Sequence, residues 1–234
     1  APPTILGHFG GGLALSLYTN GLLLANNIIA SNSSGIWRES YFTNQPVLLH
    51  NCVHNSNANY INLSAGVGDM QADPRFVNRA AGDFHVLAGS PCIDAGTNLF
   101  APAADFEGVA RPLDGDANGI VRWDIGAFEF VHPTADTDGD GMKDADEVIA
   151  GTDPSNEDDF LRIERISVVG TNGLLEFNSQ AGRLYGIVAS PTLTASNLWA
   201  SVTNGIPGTG ALLAAPVSIT STQHFYRLQV RLSP

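Results

Sequence analysis

Short apolar runs, separated by Asn, Ser and Gly, recur along the first quarter of the chain. The segment Gly21–Ile29 aligns with the segment Gln45–Val53 at an offset of 24 residues. The aligned pairs are Leu23 with Val47, Leu24 with Leu48, Asn27 with Asn51, Ile28 with Cys52 and Ile29 with Val53. A repeat of this length predicts the coils of a parallel β-solenoid, which stack about 4.8 Å apart with like side chains in register. An antiparallel β-sandwich with coincidental Asn turns is the alternative interpretation.

The last third of the chain instead alternates apolar and polar residues, which is the period of a half-buried strand. Gly, Pro, Asn and Thr punctuate the alternating runs, so this region predicts a small antiparallel β-sandwich. The alternating runs are Arg162–Val168, Leu174–Phe177, Leu184–Val188 and Phe225–Leu232. Helix is predicted only as a turn near Asp144–Ala150. The predicted fold class is therefore all-β.

Composition narrows the class of protein. The chain has 234 residues, a formal net charge of −12, 15% charged residues and 44% hydrophobic residues. These values exclude a disordered chain, and the single lysine, Lys143, argues against a nucleic-acid-binding face. No run approaches the roughly 18 apolar residues of a membrane-spanning helix. Cys52 and Cys92 are compatible with one disulfide in an oxidising compartment, and equally with two buried thiols.

An ordered series of motifs follows the coil region. The series begins with Asp73–Asn78, Gly82–Leu87 and Gly89–Gly96, and continues with Asp105–Pro112 and Asp124–Glu129. In this order the motifs resemble the closing coils of secreted bacterial right-handed parallel β-helix proteins, the pectate-lyase-like superfamily. The resemblance implies the C-terminal end of a β-helix with its cap, and an extracellular location. Family members with a catalytic groove have many more coils than fit in this chain.

Three regions are expected along the chain. Residues 1–130 are predicted to form the terminal coils and cap of a short right-handed parallel β-helix. Residues 131–160 are a linker rich in Asp and Gly, and residues 161–234 form the β-sandwich domain. The tail Phe225–Leu228 resembles the last strand of β-sandwich modules that end many secreted bacterial proteins, a likeness that implies no activity.

The linker carries a calcium-binding pattern. Residues 136–159 hold ten carboxylates and one lysine. Oxygen ligands fall at positions 1, 3, 5, 7, 9 and 12 of a twelve-residue loop, with Gly141 at position 6 for the sharp reversal. The predicted Ca²⁺ ligands are Asp136, Asp138, Asp140, the Met142 carbonyl, Asp144 and Glu147. The following segment resembles the continuation of thrombospondin type 3 calcium repeats, which implies that Asp153, Asn156 and Asp158 complete this site or a second one.

A second calcium loop is predicted upstream. Asp114, Asp116 and Asn118 occupy positions 1, 3 and 5, and Gly119 occupies position 6. The twelfth residue is an isoleucine, which cannot bind a cation, so Asp124 is expected to close the site from position 11. A Gly/Asn hairpin turn with exposed aspartates is the alternative.

The coil region offers few catalytic groups. Polysaccharide lyases of the superfamily that this chain resembles use calcium with a Lys, Arg, His or Tyr base; the bases available here are Arg38, Tyr41, His50 and His54. His50 and His54 are expected to share a face of one strand because their spacing is even. Hydrolases need paired carboxylates, and Glu39, Asp69 and Asp73 fall on different coils. The enzyme alternative is the C-terminal portion of a polysaccharide lyase or glycosidase, with no catalytic residue assigned.

A third possibility is carbohydrate binding without turnover. Trp37, Tyr41 and Tyr60 are the candidate sugar-stacking aromatics. Packing within the β fold is the alternative role for the same three rings.

The expected partners follow from the N-terminal end of the predicted coil stack, which something must cover. Residues 1–12 show no amphipathic helix that would cover it, and an uncovered coil exposes unpaired backbone groups. A longer parent chain, an extra strand over Thr4–Phe9 or a neighbouring copy docked head to tail would each cover the end. We therefore predict a non-catalytic, calcium-stabilised extracellular structural or adhesive module. Its expected partners are copies of itself, a longer parent chain or a polysaccharide.

Overall fold

The computed structural model describes residues 11–16, 21–40, 44–193, 199–219 and 225–234. The chain divides into two compact units, Ala1–Thr137 and Asp138–Pro234. Within the described ranges both units are built almost entirely from β-strands, as the sequence predicts, with one α-helix and one short 3-10 turn. None of the described helices is long and apolar enough to cross a membrane.

The first seven strands form parallel sheets. They are β1 (Gly11–Leu15), β2 (Leu23–Ala25), β3 (Ile28–Ala30), β4 (Ser34–Arg38), β5 (Val47–Leu49), β6 (Cys52–His54) and β7 (Ala58–Ile61). The sheets have the strand orders β1-β4-β7, β2-β5 and β3-β6. Their parallel pairing means that the antiparallel alternative is wrong for this region.

The register of these strands is the one that the repeat predicts. Leu23 pairs with Val47 and Leu24 with Leu48 between β2 and β5. Ile28 pairs with Cys52 and Ile29 with Val53 between β3 and β6. Because like residues stack, the inward-facing apolar side chains form one cluster around Leu15, Ile36, Leu48 and Val53, all of which are buried.

A ladder of polar side chains fixes the same register. Asn51 is fully buried, and its Oδ1 accepts hydrogen bonds from the backbone nitrogen and Nδ2 of Asn27 at 3.1 and 3.0 Å. Asp69 Oδ1 accepts the equivalent pair from Asn51 at 2.8 and 2.9 Å. The other oxygen, Asp69 Oδ2, accepts from the Tyr60 hydroxyl and the Gly66 nitrogen, both at 2.9 Å. A carboxylate has no donor, so Asp69 ends the ladder.

The rest of the first unit is mostly irregular. It contains a hairpin of β8 (Phe76–Asn78) and β9 (Asp83–Val86), with a 3-10 turn (Arg79–Ala81) between them. A second apolar cluster lies here around Cys52, Val86, Cys92 and Ile125. The residues beyond β9 therefore share a core with strand β6 of the parallel region.

The second unit consists of helix α1 and two antiparallel sheets. Its elements are α1 (Asp144–Ala150), β10 (Ile163–Val169), β11 (Asn172–Asn178), β12 (Arg183–Ser190), β13 (Ala200–Pro207), β14 (Leu212–Ser218) and β15 (Phe225–Leu232). The sheets have the orders β10-β11-β14 and β13-β12-β15. Both contribute to one core that includes Phe177, Tyr185 and Val217, which fits the predicted sandwich.

Candidate metal centre

Three carboxylates converge in the loop that precedes helix α1. Asp136, Asp138 and Asp140 each offer an oxygen, and these oxygens lie within 4.8 Å of one another. Gly139 and Gly141 have φ angles of 82° and 95°, a region that residues with a side chain rarely adopt. These two glycines allow alternate side chains of the loop to point to the same place, as the twelve-residue pattern predicts.

Hydrogen bonds within the loop use one oxygen of Asp138 and one oxygen of Asp140. Asp138 Oδ1 accepts from the Asp140 nitrogen at 3.2 Å, and Asp140 Oδ1 accepts from the Met142 nitrogen at 2.6 Å. Asp140 Oδ2 is buried and accepts no hydrogen bond. Asp140 is thus held through one oxygen and keeps its second oxygen for another ligand.

Helix α1 adds two buried carboxylates. Asp144 and Glu147 are both 0% exposed and lie three residues apart, so they share one face of the helix. The helix ends at Gly151, which has a φ of 81° and donates its backbone N–H to the Glu147 carbonyl at 2.6 Å. Acidic groups in the first helical turn also interact favourably with the helix dipole.

Glu147 is the clearest indication of a cation. Its Oε1 accepts a hydrogen bond from Thr152 Oγ1 at 3.1 Å, whereas Oε2 is buried without a partner. Burial, together with repulsion from Asp138, Asp140 and Asp144, raises the Glu147 pKa to about 8. A buried, unpartnered carboxylate oxygen is unfavourable unless a cation or a proton compensates it. The residues of this loop therefore fit a hard divalent cation that prefers oxygen ligands.

Arg183 on strand β12 holds the C-terminal end of the same helix. Its Nε donates to the Ile149 carbonyl at 3.1 Å, and its Nη2 donates to the Val148 carbonyl at 3.2 Å. A cation at this end of a helix satisfies carbonyls that have no partner within the helix. The position of Asp144 and Glu147 is thus tied to the sheet of the second unit.

Asp153 is engaged in a local turn. Its Oδ1 accepts from the backbone nitrogen and the hydroxyl of Ser155, at 3.0 and 2.7 Å. Asp158 donates its backbone nitrogen to Asn156 Oδ1 at 3.3 Å. The groups of converging carboxylates found among the described residues do not include Asp153 or Asp158. Their role as ligands remains a prediction from the sequence.

A second carboxylate cluster consists of Asp94, Asp114 and Asp116, again with oxygens within 4.8 Å of one another. Asp114 accepts from the nitrogens of Asn118 and Gly119 at 3.0 and 2.8 Å, as expected of the Gly/Asn turn. Asp94 Oδ2 is buried and has no hydrogen-bond partner. Burial, together with the neighbouring Asp116 and Asp114, raises the Asp94 pKa to about 6.

Asp124 has a different contact from the one expected. It is 1% exposed, and its two oxygens accept from the nitrogens of Asp94 and Phe130 at 2.7 and 2.6 Å. Burial, together with repulsion from Glu129, raises its pKa to about 8. Asp124 therefore holds the backbone of Asp94, and Asp94 is the carboxylate that joins Asp114 and Asp116.

The buried pair Arg111 and Glu129 supports this region. Arg111 Nε lies 3.1 Å from Glu129 Oε2, with both side chains almost fully buried. Glu129 also accepts from the Leu113 and Asp124 nitrogens at 3.0 and 3.2 Å. These bonds connect the loop that begins at Asp114 to the segment that carries Asp124.

The histidine prediction is wrong in its geometry. His50 has a φ of 51° and lies in the turn before β6, whereas His54 is the last residue of that strand. His50 Nδ1 lies 2.7 Å from the Ala95 carbonyl, and a side chain on Gly68 would collide with its ring. The two imidazoles therefore do not share a face of one strand.

Two of the candidate sugar-stacking aromatics, Trp37 and Tyr60, lie on opposite faces of their sheet. Ile36 pairs with Tyr60 and Trp37 with Ile61, so Tyr60 lies on the face of Ile36, opposite to Trp37. Tyr60 packs against the apolar cluster of the parallel region and donates its hydroxyl to Asp69. Tyr41 lies outside the described residues. Packing is thus the role that the structure gives to Tyr60.

Comparisons with known proteins identify one segment. Residues 136–157 match the family model described as a bacterial TSP3 repeat. Repeats of this type are calcium-binding and are typical of extracellular proteins. No curated protein matches the chain, and no solved structure matches it. The matched segment contains the loop of Asp136, Asp138 and Asp140, helix α1, and the turn at Asp153.

Proposed function

We propose that this chain is a non-catalytic, calcium-stabilised structural module of an extracellular protein. The observation that carries the proposal is Glu147, a fully buried carboxylate with an unpartnered oxygen, beside the loop of Asp138 and Asp140. The match to a bacterial TSP3 repeat over the same residues supports it. Calcium would bind where the carboxylates otherwise repel one another, and it would order the segment between the two β regions.

The proposed ligands follow the twelve-residue loop. Side-chain oxygens would come from the aspartates of the loop and from helix α1, and the Met142 carbonyl would supply one backbone oxygen. The ligand set is Asp136, Asp138, Asp140, Met142, Asp144 and Glu147. This role would be structural, because the ion would neutralise buried carboxylates that otherwise repel one another.

A second proposed calcium site has a revised ligand set. Asp94 replaces Asp124, because an oxygen of Asp94 lies within 4.8 Å of oxygens of Asp114 and Asp116, and Asp124 does not belong to this group. The unpartnered Asp94 Oδ2 supports this revision.

The wider architecture is also part of the proposal. We propose that residues 1–130 are the terminal coils and cap of a right-handed parallel β-helix, that residues 131–160 are the calcium-binding linker, and that residues 161–234 are the sandwich. The parallel pairing at an offset of 24 residues supports the first assignment. Coils of this kind would add to one another by strand pairing, either within a longer chain or between copies.

A calcium titration tests the metal proposal. We expect isothermal titration calorimetry of the metal-free chain to show binding, and the melting temperature to rise with calcium. Glu147→Gln removes the charge of the buried ligand and should abolish binding at this site. Asp146→Asn is the matched control, because Asp146 lies on the same helix but is exposed and occupies no ligand position. A melting temperature that is independent of calcium, or equal binding by both variants, would contradict the proposal.

Negative-stain electron microscopy tests assembly separately. Fibres that fray after chelation would support head-to-tail addition of copies with calcium as a stiffening ion. Single particles with and without calcium would exclude a self-assembled fibre and leave the longer parent chain as the partner.

A further inference from the structure

The first unit buries the two cysteines of the chain in one apolar cluster. Cys52 lies on β6 and Cys92 lies in the turn after β9, and both have zero exposure. They belong to one apolar cluster of buried residues, and both are free thiols in this structure. We propose that Cys52 and Cys92 form an intramolecular disulfide when the chain folds in the presence of a disulfide oxidant.

Backbone contacts already hold both residues in place. The Cys52 nitrogen donates to the Asn27 carbonyl at 2.8 Å, as part of the parallel pairing of β3 and β6. The Cys92 nitrogen donates to Ser90 Oγ at 3.1 Å, and the Cys92 carbonyl accepts from the Ile125 nitrogen at 2.9 Å. Oxidation would thus join two cysteines of one cluster without a change in the course of the backbone.

The position of the bond gives it a structural effect. It joins strand β6 of the parallel region to the segment that follows the hairpin of β8 and β9. The closed loop has about 40 residues, a length at which a disulfide restricts the unfolded chain substantially. Two free thiols at the same place contribute packing alone.

The oxidation is a thiol–disulfide exchange with a small-molecule disulfide such as oxidised glutathione. One cysteine thiolate attacks a sulfur of the glutathione disulfide, so a mixed disulfide forms and one glutathione thiol leaves. The second cysteine attacks the protein sulfur of that mixed disulfide and releases the second glutathione. The protein loses two protons and two electrons, and the oxidant gains them.

Burial determines when the exchange occurs. Cys52 Sγ donates to the Ala72 carbonyl at 3.2 Å inside the cluster, where a bulky disulfide has no access. Exchange is therefore fast while the chain is unfolded or opening, and slow once the cluster has closed. The reduced, folded chain should resist the same oxidant.

The test uses the full chain. Reduced, denatured protein is refolded with mixed oxidised and reduced glutathione, or with reduced glutathione alone. The oxidised sample should be a monomer that has lost two hydrogen atoms by mass spectrometry, with Cys52 and Cys92 in one cross-linked peptide. Its melting temperature should exceed that of the reduced sample by about 10 °C.

The control is the double variant Cys52→Ala/Cys92→Ala, whose melting temperature should not depend on the oxidant. The comparison of oxidised with reduced wild-type chain stands even where this variant does not fold. Two thiols that remain open to alkylation after oxidative refolding would overturn the proposal, as would a disulfide-linked dimer. This inference does not rest on the calcium proposal, and the measurement is made without added calcium.

Discussion

At the scale of single residues, Glu147 would make the proposed calcium binding sensitive to pH. Without calcium its pKa is raised to about 8, so near neutral pH the folded chain holds a proton there that calcium must displace. The unfolded pKa is 4.5, so stability of the calcium-free chain is lost as the pH rises from about 4.5 through 8.

We predict that calcium affinity rises about tenfold per pH unit between about pH 6 and pH 8, and then levels off. Titrations in buffers of different ionisation enthalpy should show about one proton released at pH 7 for the ion that binds beside Glu147. Glu147→Gln should remove both the binding at this site and its proton release. An affinity that is constant across this pH range would show that Glu147 is not a ligand.

Asp69 is the residue on which the polar ladder ends. Asp69→Asn retains one acceptor oxygen but places an amide opposite two donors, the Tyr60 hydroxyl and the Gly66 nitrogen. The loss of a buried acceptor costs about 1–3 kcal/mol, so we expect the free energy of unfolding to fall by that amount. Chemical denaturation of the wild-type chain and the variant measures this change in the free energy of unfolding.

The control for this substitution is Asp73→Asn. Asp73 Oδ1 accepts from the Arg75 nitrogen at 2.9 Å, a bond that an amide oxygen also makes. We expect little change in the free energy of unfolding for this variant. Equal losses for Asp69→Asn and Asp73→Asn would mean that the ladder contributes nothing specific.

At the scale of elements, helix α1 depends on its attachment to strand β12. Arg183→Ala leaves the Val148 and Ile149 carbonyls without their guanidinium partner, and it loosens the element that carries Asp144 and Glu147. We predict that the calcium dissociation constant rises about tenfold, since a hydrogen bond from a charged group is worth about 1.5–3 kcal/mol. Calorimetry at fixed pH measures the change.

Arg165→Ala is the comparison for this variant. Arg165 pairs with Glu176 between strands β10 and β11, on a side chain that is 68% exposed. This pair lies in the other sheet from β12, so removing Arg165 should leave the calcium affinity at the wild-type value. A tenfold loss in this variant too would indicate general destabilisation of the second unit.

The sequence predicted elements where the pattern is local and regular. The offset of 24 residues gives the pairing of β2 with β5 and of β3 with β6, because parallel strands at this offset place like residues in register. The alternating runs correspond to β10, β11, β12 and β15. Strands β13 and β14 were missed because Asn204–Gly205 interrupts one and Pro216 lies in the other. Both are edge strands, where such residues are tolerated.

At the scale of the whole molecule, the two carboxylate clusters predict two calcium ions per chain. Asp94→Asn should remove one binding event and Glu147→Gln the other, and the double variant should bind neither ion. The effects on stoichiometry should add, because the clusters share no residue. Calorimetric stoichiometry and native mass spectrometry measure it. A single ion in the wild-type chain would exclude the second site.

Of the two carboxylate clusters, only the one in the contiguous loop can be predicted fully from sequence spacing. The loop of Asp136 to Glu147 is contiguous, so its spacing alone predicted the converging carboxylates. Asp94 lies 20 residues before Asp114, and its place beside that side chain depends on Asp124, which holds its backbone nitrogen. The spacing does not distinguish a carboxylate that binds backbone nitrogens, such as Asp124, from one that lies beside two other carboxylates, such as Asp94.

The amide ladder has a consequence for how such chains lengthen. Asn51 accepts a pair of hydrogen bonds from Asn27 and donates an equivalent pair to Asp69, whose carboxylate accepts but cannot donate. A duplicated 24-residue segment inserted between Asn27 and Asn51 would carry one more asparagine. That asparagine would accept the pair of hydrogen bonds from Asn27 and donate an equivalent pair to Asn51. Gene duplication could therefore lengthen the parallel stack by whole repeats. Asp69 lies outside the duplicated segment, so it would remain at the end of the stack.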